Sequence, residues 1–476
     1  MMALWGYLLL SAITAGYAWC VRALYRRTRD VSVVVGAVVL FLWTFAGAWF
    51  FIGDAALGFP GFRIGLGYYY LMEKMFPFVL DGNYLLSLAC YALFMGAMFG
   101  SLFLLVPRPY QPLRRTVAID HRYMLLGGAL CMAVSMVMAW PVVKYAAAHG
   151  ASIYLAMHEQ TGVLASVRSW ADRAAALCFL FGYAIFLVPA GSNALFAQRS
   201  GPWHRWNYPA ALLLLGTYLS LLGDRHTLFT VLILALVYLF GCMGRAAWRR
   251  SGFLIATCVC ILAFGGWVRG FTPQGTRPEP DRSPFSLSAI AHVPRQQEGP
   301  LRKAGNAVFG NELFAAHFSM YGILEQRVPV APGISFKYLI ATLVPTPLRT
   351  STPPTVYDHY AEAAHLVPGQ GYTIHAAAGW YLNLGWAGLP IGGAVLGAIW
   401  AWLLRLRMRP LRTSHVAWDL LPYLFVAYLP PVVRSGPEGL RALVVEGCII
   451  PLLILFLAAV LPWPFKSHLV PNGRER

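Results

Sequence analysis

Apolar runs of about 20 residues recur from one end of the chain to the other, each long enough to cross a bilayer core of about 30 Å. Within such a core no water is present to bond backbone N–H and C=O groups, so runs of this kind are stable only as helices that bond internally. The composition agrees. Of 476 residues, 58% are hydrophobic and 12% charged, against about 25% charged in an ordinary soluble domain, and the mean hydropathy is +0.58. A cytosolic enzyme, a disordered chain and a secreted disulfide scaffold are excluded. The expected fold class is an all-α polytopic membrane protein.

Eleven spans are expected, at approximately 2–21, 31–53, 83–106, 123–143, 172–190, 207–223, 227–244, 251–268, 384–404, 418–433 and 440–462. The first lacks a basic leading region and reads as an uncleaved helix rather than a signal peptide. The ninth has room to begin earlier, inside the Trp380-Tyr381 stretch. The organisation is therefore eight helices over 1–268, one large polar loop with short helices over 269–373, and three helices with a polar tail over 374–476.

The formal net charge of +18 belongs to membrane topology. Arg22, Arg26, Arg27 and Arg29 follow the first span, Arg108, Arg114, Arg115 and Arg122 the third, and Arg405, Arg407, Arg409 and Arg412 the ninth. Arg199, Arg205, Arg245, Arg249 and Arg250 fall on the same side. Basic loops stay in the cytoplasm, which puts the N-terminus and the 269–373 loop outside and the C-terminus inside. No basic stripe with interleaved aromatics appears, so no nucleic-acid partner is expected. The eight cysteines all lie in apolar runs and imply no disulfide framework.

Within the large loop, Phe271 to Ser286 is proline-rich and reads as a strap, whereas Asn311 to Gln326 has helical spacing, with Leu313, Phe314, Phe318, Tyr321 and Leu324 near one side. Pro345, Pro347, Pro353 and Pro354 break any regular element that follows.

Arginines at the outer boundary are the first candidates for chemistry. Gly223-Asp224-Arg225 separates two apolar runs with almost no room for a loop, Arg269 leaves the eighth span, and Arg434 and Arg441 flank the last outer hairpin. Each is an interfacial anchor, paired with Asp224, Glu438 or Glu446, or together they form a site for an anion, because a guanidinium binds phosphate oxygens in two-point fashion. A second cluster closes the loop: Asp358, His359 and Glu362, then His375, Trp380, Tyr381 and Asn383. Aromatic rings and amides at a membrane rim suit a sugar; the alternatives are an aromatic belt and solvated loop groups. His375, directly before an apolar stretch, is either a general base or a capping histidine.

These residues resemble a known family. Gly223-Asp224-Arg225 opening a span is similar to the Gly-x-Arg or Ser-Arg element of bacterial O-antigen polymerases of the Wzy type and of O-antigen ligases. Leu343-Val344-Pro345-Thr346-Pro347 to Pro354 resembles the proline-broken segment of oligosaccharide repeat-unit polymerases. Trp380-Tyr381-Leu382-Asn383-Leu384-Gly385-Trp386-Ala387-Gly388 is similar to their Tyr-x-Asn-Phe-Gly-x-x-Gly. The resemblance covers about 220 to 445. Gly379 stands where family members often carry glutamate, and the spaced Arg-x10-Gly and His-x10-Gly signatures are absent.

The resemblance implies a GT-C-like membrane glycosyltransferase of the bacterial inner membrane with its site facing the periplasm. Donor and acceptor would be polyprenyl-diphosphate-linked oligosaccharides, with a chain-length regulator protein as a candidate partner. Arg225, Arg269, Arg434 and Arg441 would hold the diphosphate, His375 would be the base, and no metal or other cofactor is expected. A ligase, a metal-dependent GT-C enzyme using Asp54 or Asp81, and a polysaccharide or lipid transporter are the alternatives.

Overall fold

The computed structural model describes residues 2–49, 51–52, 80–106, 117–148, 162–189, 196–198, 204–222, 225–271, 316, 318–343, 353–364, 374–406, 416–444 and 449–460. Within them the chain is helical almost throughout. In order come α1 (Met2–Thr28), α2 (Val31–Trp49), α3 (Gly82–Leu105), α4 (His121–Ala148) and α5, built of Gly162–Ala176, a π-turn Leu177–Phe181 and Gly182–Leu187. α6 (His204–Leu222), α7 (Arg225–Met243) and α8 (Ala247–Phe271) complete the first part. Three short helices follow, α9 (Phe318–Glu325), α10 (Ile334–Leu343) and α11 (Val356–Ala363). The last part holds α12 (Ala376–Leu384), α13 (Gly388–Leu406), α14 (Val416–Ala427), α15 (Leu429–Arg434), α16 (Gly439–Ala442) and α17 (Ile450–Val460).

Among the described residues, six helices are long and apolar enough to cross a membrane: Met2–Thr28, Val31–Trp49, Gly82–Leu105, His121–Ala148, Val167–Leu187 and Ala376–Leu406. Thr227–Met243 is apolar but shorter. The chain is a multi-pass helical membrane protein. Two features depart from expectation. Val117–Ile119 and Phe196–Gln198 form a short parallel strand pair, so the chain is not purely helical. The ninth expected span starts at Ala376 rather than 384, and is interrupted where Gly385 turns to φ +61° and ψ −149°, a conformation open essentially to glycine alone.

Local signals explain the helix starts: the Asp30 carboxylate accepts the Ser32 N–H at 2.9 Å, and Asp81 accepts the Tyr84 N–H at 2.9 Å, each satisfying a donor that the first helical turn leaves unpaired. The tightest pairing, α13 on α3, depends on small residues. Cβ atoms at Gly393 and Gly397 would come within 2.1 Å of the Phe94 and Met98 carbonyl oxygens, and Ser101 Oγ donates to the Ala394 carbonyl at 2.9 Å. Close backbone approach of this kind is how helices associate in lipid.

The bundle has two chemically different ends. At one, basic side chains bond the last carbonyls of helices: Arg27 donates to Val106 O, Arg405 Nε to Leu105 O at 2.7 Å, and Arg250 to Leu187 O. Cations are stabilised there by the negative pole of the helix. The opposite end carries α9, α10 and α11. Phe318, Met320 and Tyr321 of α9 are buried, the Met320 N–H donates to the Tyr91 hydroxyl at 3.1 Å, and Asn83 Nδ2 donates to Glu325 at 2.8 Å. The expected helix over 311–326 thus begins at Phe318 among the described residues; residues 311–315 lie outside them.

Candidate functional site at the loop end

The start of α12 is where distant parts of the chain meet. The Ile374 N–H donates to the Arg434 carbonyl at 3.2 Å. Beside it, Gly379 lies so close to Gly436 that a Cβ would stand 2.7 Å from the Gly436 Cα. His375, fully buried, caps α12: Nδ1 accepts the Ala377 N–H at 3.1 Å, and Nε2 lies 3.1 Å from Thr44 Oγ1. An accepting Nδ1 leaves the ring proton on Nε2, which then donates to Thr44. The Tyr91 ring meets the imidazole edge-on at 4.5 Å. Of the two roles expected for His375, the capping one is observed. Both nitrogens are in use and neither faces an open surface.

The sugar-binding expectation divides. Trp380 is 4% exposed, packs edge-on against Phe336 at 5.7 Å, and fills the groove that Gly392 leaves; its faces are occupied by protein. Asn383 is fully buried, with Nδ2 donating to Ser335 Oγ at 2.9 Å and the Gly379 carbonyl at 2.8 Å while Oδ1 accepts the Ser335 N–H at 3.0 Å. It pins α10 to α12. Asp358 closes a capping box with Thr355 at the start of α11, and the His359 ring nitrogen Nε2 donates to the Pro329 carbonyl at 2.8 Å. Tyr381, half-buried and edge-on to the exposed Trp386 at 5.2 Å, and the exposed Glu362 remain accessible.

Three charged groups lie at the hairpin after α15. The Arg434 guanidinium stands over the Trp43 ring, 5.4 Å from its centroid. Arg441 is half-buried on α16, and its Nε has no hydrogen-bond partner among the described residues. Glu438, read from the sequence as a partner for these arginines, instead accepts from Ser335 Oγ at 3.1 Å and the Val356 N–H at 2.7 Å. Burial pushes its carboxyl above the ordinary glutamate range; the two hydrogen bonds pull the other way and Asp358 adds to the rise. Glu446 and Asp54 lie outside the described residues.

Arg225 is the first residue of α7, and Arg269 lies in the last turn of α8; their side chains lie outside the described set. Their backbones share the end that carries Arg434. Thr230 and Val231 of α7 line a cavity with Ala427 and Tyr428, whereas Gly241 abuts Tyr423. Helix α7 therefore runs antiparallel to α14, and the short turn Gly244–Ala246 sends α8 back beside it.

One group escaped the sequence reading. Asp172, 1% exposed on α5, accepts from Ser135 Oγ of α4, which also bonds the Tyr218 hydroxyl of α6. The next residue, Arg173, lines the same cavity with Thr230, Tyr428 and Pro451. The signal was present: Arg168-Ser169-Trp170-Ala171-Asp172-Arg173 puts three charges at the mouth of an apolar run, a place where ionisable residues mark function or pairing.

Compared with protein-family models, curated proteins and solved structures, the chain matches none of them. What the geometry offers chemically is an apolar helical bundle in which Arg434, Arg441 and the half-buried Glu438 carboxylate lie at the end opposite the carbonyl-capping arginines.

Proposed function

We propose that this chain is a membrane glycosyltransferase that joins polyprenyl-diphosphate-linked oligosaccharide repeat units at the periplasmic face. The observation that carries the reading is the grouping of Arg434, Arg441 and the backbones of Arg225 and Arg269 at the end opposite the carbonyl-capping arginines Arg27, Arg250 and Arg405. The capping end is the cytoplasmic one by the positive-inside rule, so the other end faces the periplasm.

The chemistry follows from charge. Transfer of a glycan from a polyprenyl diphosphate releases a diphosphate, whose developing negative charge needs cations already in place. Guanidinium groups serve here without a metal ion. The acceptor hydroxyl attacks the anomeric carbon from the side opposite the diphosphate, which inverts that centre, and a base takes the hydroxyl proton. His375 holds α12 against Thr44 and acts as a positioning residue.

The test is incubation of the purified protein with a lipid-linked repeat unit in the presence of EDTA. A ladder of lengthened products supports a polymerase. A single addition to a different lipid makes it a ligase, and turnover that requires added magnesium or manganese overturns the arginine account. The buried Asp172 favours a second reading, a transporter, for which the same incubation yields no new glycosidic bond.

A further inference from the structure

Glu438 is the acid that the loop-end elements surround most closely. It ends the Gly436-Pro437-Glu438 turn, which Gly436 enters at φ +62°, and that turn rests on α12 through the Gly379–Gly436 contact. Its two bonds, from Ser335 on α10 and from the Val356 N–H at the start of α11, both go to one oxygen, Oε1. The other oxygen, Oε2, has no partner among the described residues. Ser335 is itself held by Asn383 of α12, so the carboxylate is oriented through Oε1 by groups on two helices, one of them fixed by a third.

That asymmetry is unlike a structural acid. An acceptor needed only to bridge α10 and α11 would be served by an amide, without the cost of half-burying a charge. Here Oε1 is used for orientation and Oε2 has no partner among the described residues, at the end of the bundle that carries Arg434 and Arg441. We propose that Glu438 is the catalytic base of the glycosyl transfer, with Oε2 taking the proton of the acceptor hydroxyl. The step balances: the hydroxyl O–H bond breaks as the oxygen bonds the anomeric carbon, the proton passes to Oε2, and the carbon–oxygen bond to the diphosphate breaks with its electron pair staying on the leaving polyprenyl diphosphate. Burial raises the carboxyl above the ordinary glutamate range, which moves it toward the operating pH where a base works best. The charged and titratable side chains on the surrounding elements are Lys337 and Tyr338 on α10, Tyr357, Asp358, His359, Tyr360 and Glu362 on α11, His375 and Tyr381 at α12, and Arg434 and Arg441 beside the turn; Asp358 acts to raise it further.

This inference rests on the glycosyltransferase reading, and the experiment separates the two. Turnover of a lipid-linked repeat unit is measured against pH for the full-length parent, Glu438→Gln and Glu438→Asp, each at matched amounts of folded protein in detergent. A base contributes about 100- to 10,000-fold. The expected result is a loss of at least about 100-fold in Glu438→Gln, a smaller loss in Glu438→Asp, and an acid limb in the parent and Glu438→Asp profiles that Glu438→Gln lacks. A bridging role predicts the reverse order, because glutamine keeps an acceptor at the same reach and aspartate does not. Glu438→Gln turning over within a few-fold of the parent, or better than Glu438→Asp, overturns the proposal and leaves the function intact. A parent that forms no glycosidic bond overturns both.

Discussion

Nε2 of His375 and Oγ1 of Thr44 lie 3.1 Å apart, although 331 positions separate them in the chain. Thr44 sits in the π-turn Leu42–Ala46 of α2, a distortion that tends to mark functional places in a helix. The pair ties the second helix to the segment entering α12, and Ser319 of α9 joins from a third direction by accepting the His375 N–H at 2.9 Å.

His375→Ala removes a cap, and leaves the buried Thr44 hydroxyl without its donor. Loss of a cap costs about 1 kcal/mol and a stranded buried hydroxyl about 1–3 kcal/mol. Thermal unfolding in detergent should therefore show His375→Ala destabilised by about 2 kcal/mol or more. Asparagine is a good capping residue, so His375→Asn should recover part of that stability and keep turnover within a few-fold. Loss of all turnover in a stable His375→Asn would return the histidine to the role of base.

The α3–α13 contact makes a paired prediction from glycines. Alanine at Gly393 or Gly397 puts a methyl group against a carbonyl oxygen, whereas nothing lies within 4 Å of a Cβ at Gly96 or Gly100. Gly393→Ala and Gly397→Ala should lower the unfolding temperature, and Gly96→Ala and Gly100→Ala should leave it unchanged or raise it. Equal effects at all four positions would mean that the two helices are not packed this closely.

Glu438 also gives stability a pH dependence of defined sign. A carboxyl raised by folding binds more protons in the native than in the unfolded state, between its ordinary value of 4.5 and the raised one. Stability therefore falls as pH rises through that window and is level above it. Glu438→Gln should abolish this slope and be at least as stable as the parent at neutral pH. A parent whose stability rises with pH over the window, relative to Glu438→Gln, would contradict the burial of this group.

The helices were legible in the sequence because apolar runs of spanning length have few other fates. Side-chain roles were less so. Trp380 and Asn383 read as sugar ligands since aromatics and amides at a membrane rim do bind sugars. Their burial depends on Gly392 and Ser335, which approach only when α13 folds back across the Gly385 break and α10 docks. Asp172 was read as the edge of a span, because the partner that shelters it, Ser135, lies on another helix. Glu438 was paired with arginines by charge alone, yet a serine hydroxyl and a backbone N–H reach it instead.

Arg225 tests the arginine account. If its guanidinium clamps the diphosphate at two points, lysine does not replace it, since an ammonium lacks the planar fork. Arg225→Lys and Arg225→Ala should both lose roughly 100- to 1,000-fold in turnover at matched levels of inserted protein. An anchoring role predicts near-normal turnover for Arg225→Lys, because lysine snorkels as well as arginine.

The central claim, that each bond made here displaces a polyprenyl diphosphate, is tested most directly by counting. Purified protein is supplied with a lipid-linked repeat unit, and released polyprenyl diphosphate and new glycosidic bonds are measured in the same samples. The account predicts one diphosphate lipid released for each bond formed. Diphosphate release without bond formation, or neither product from folded protein, would contradict it.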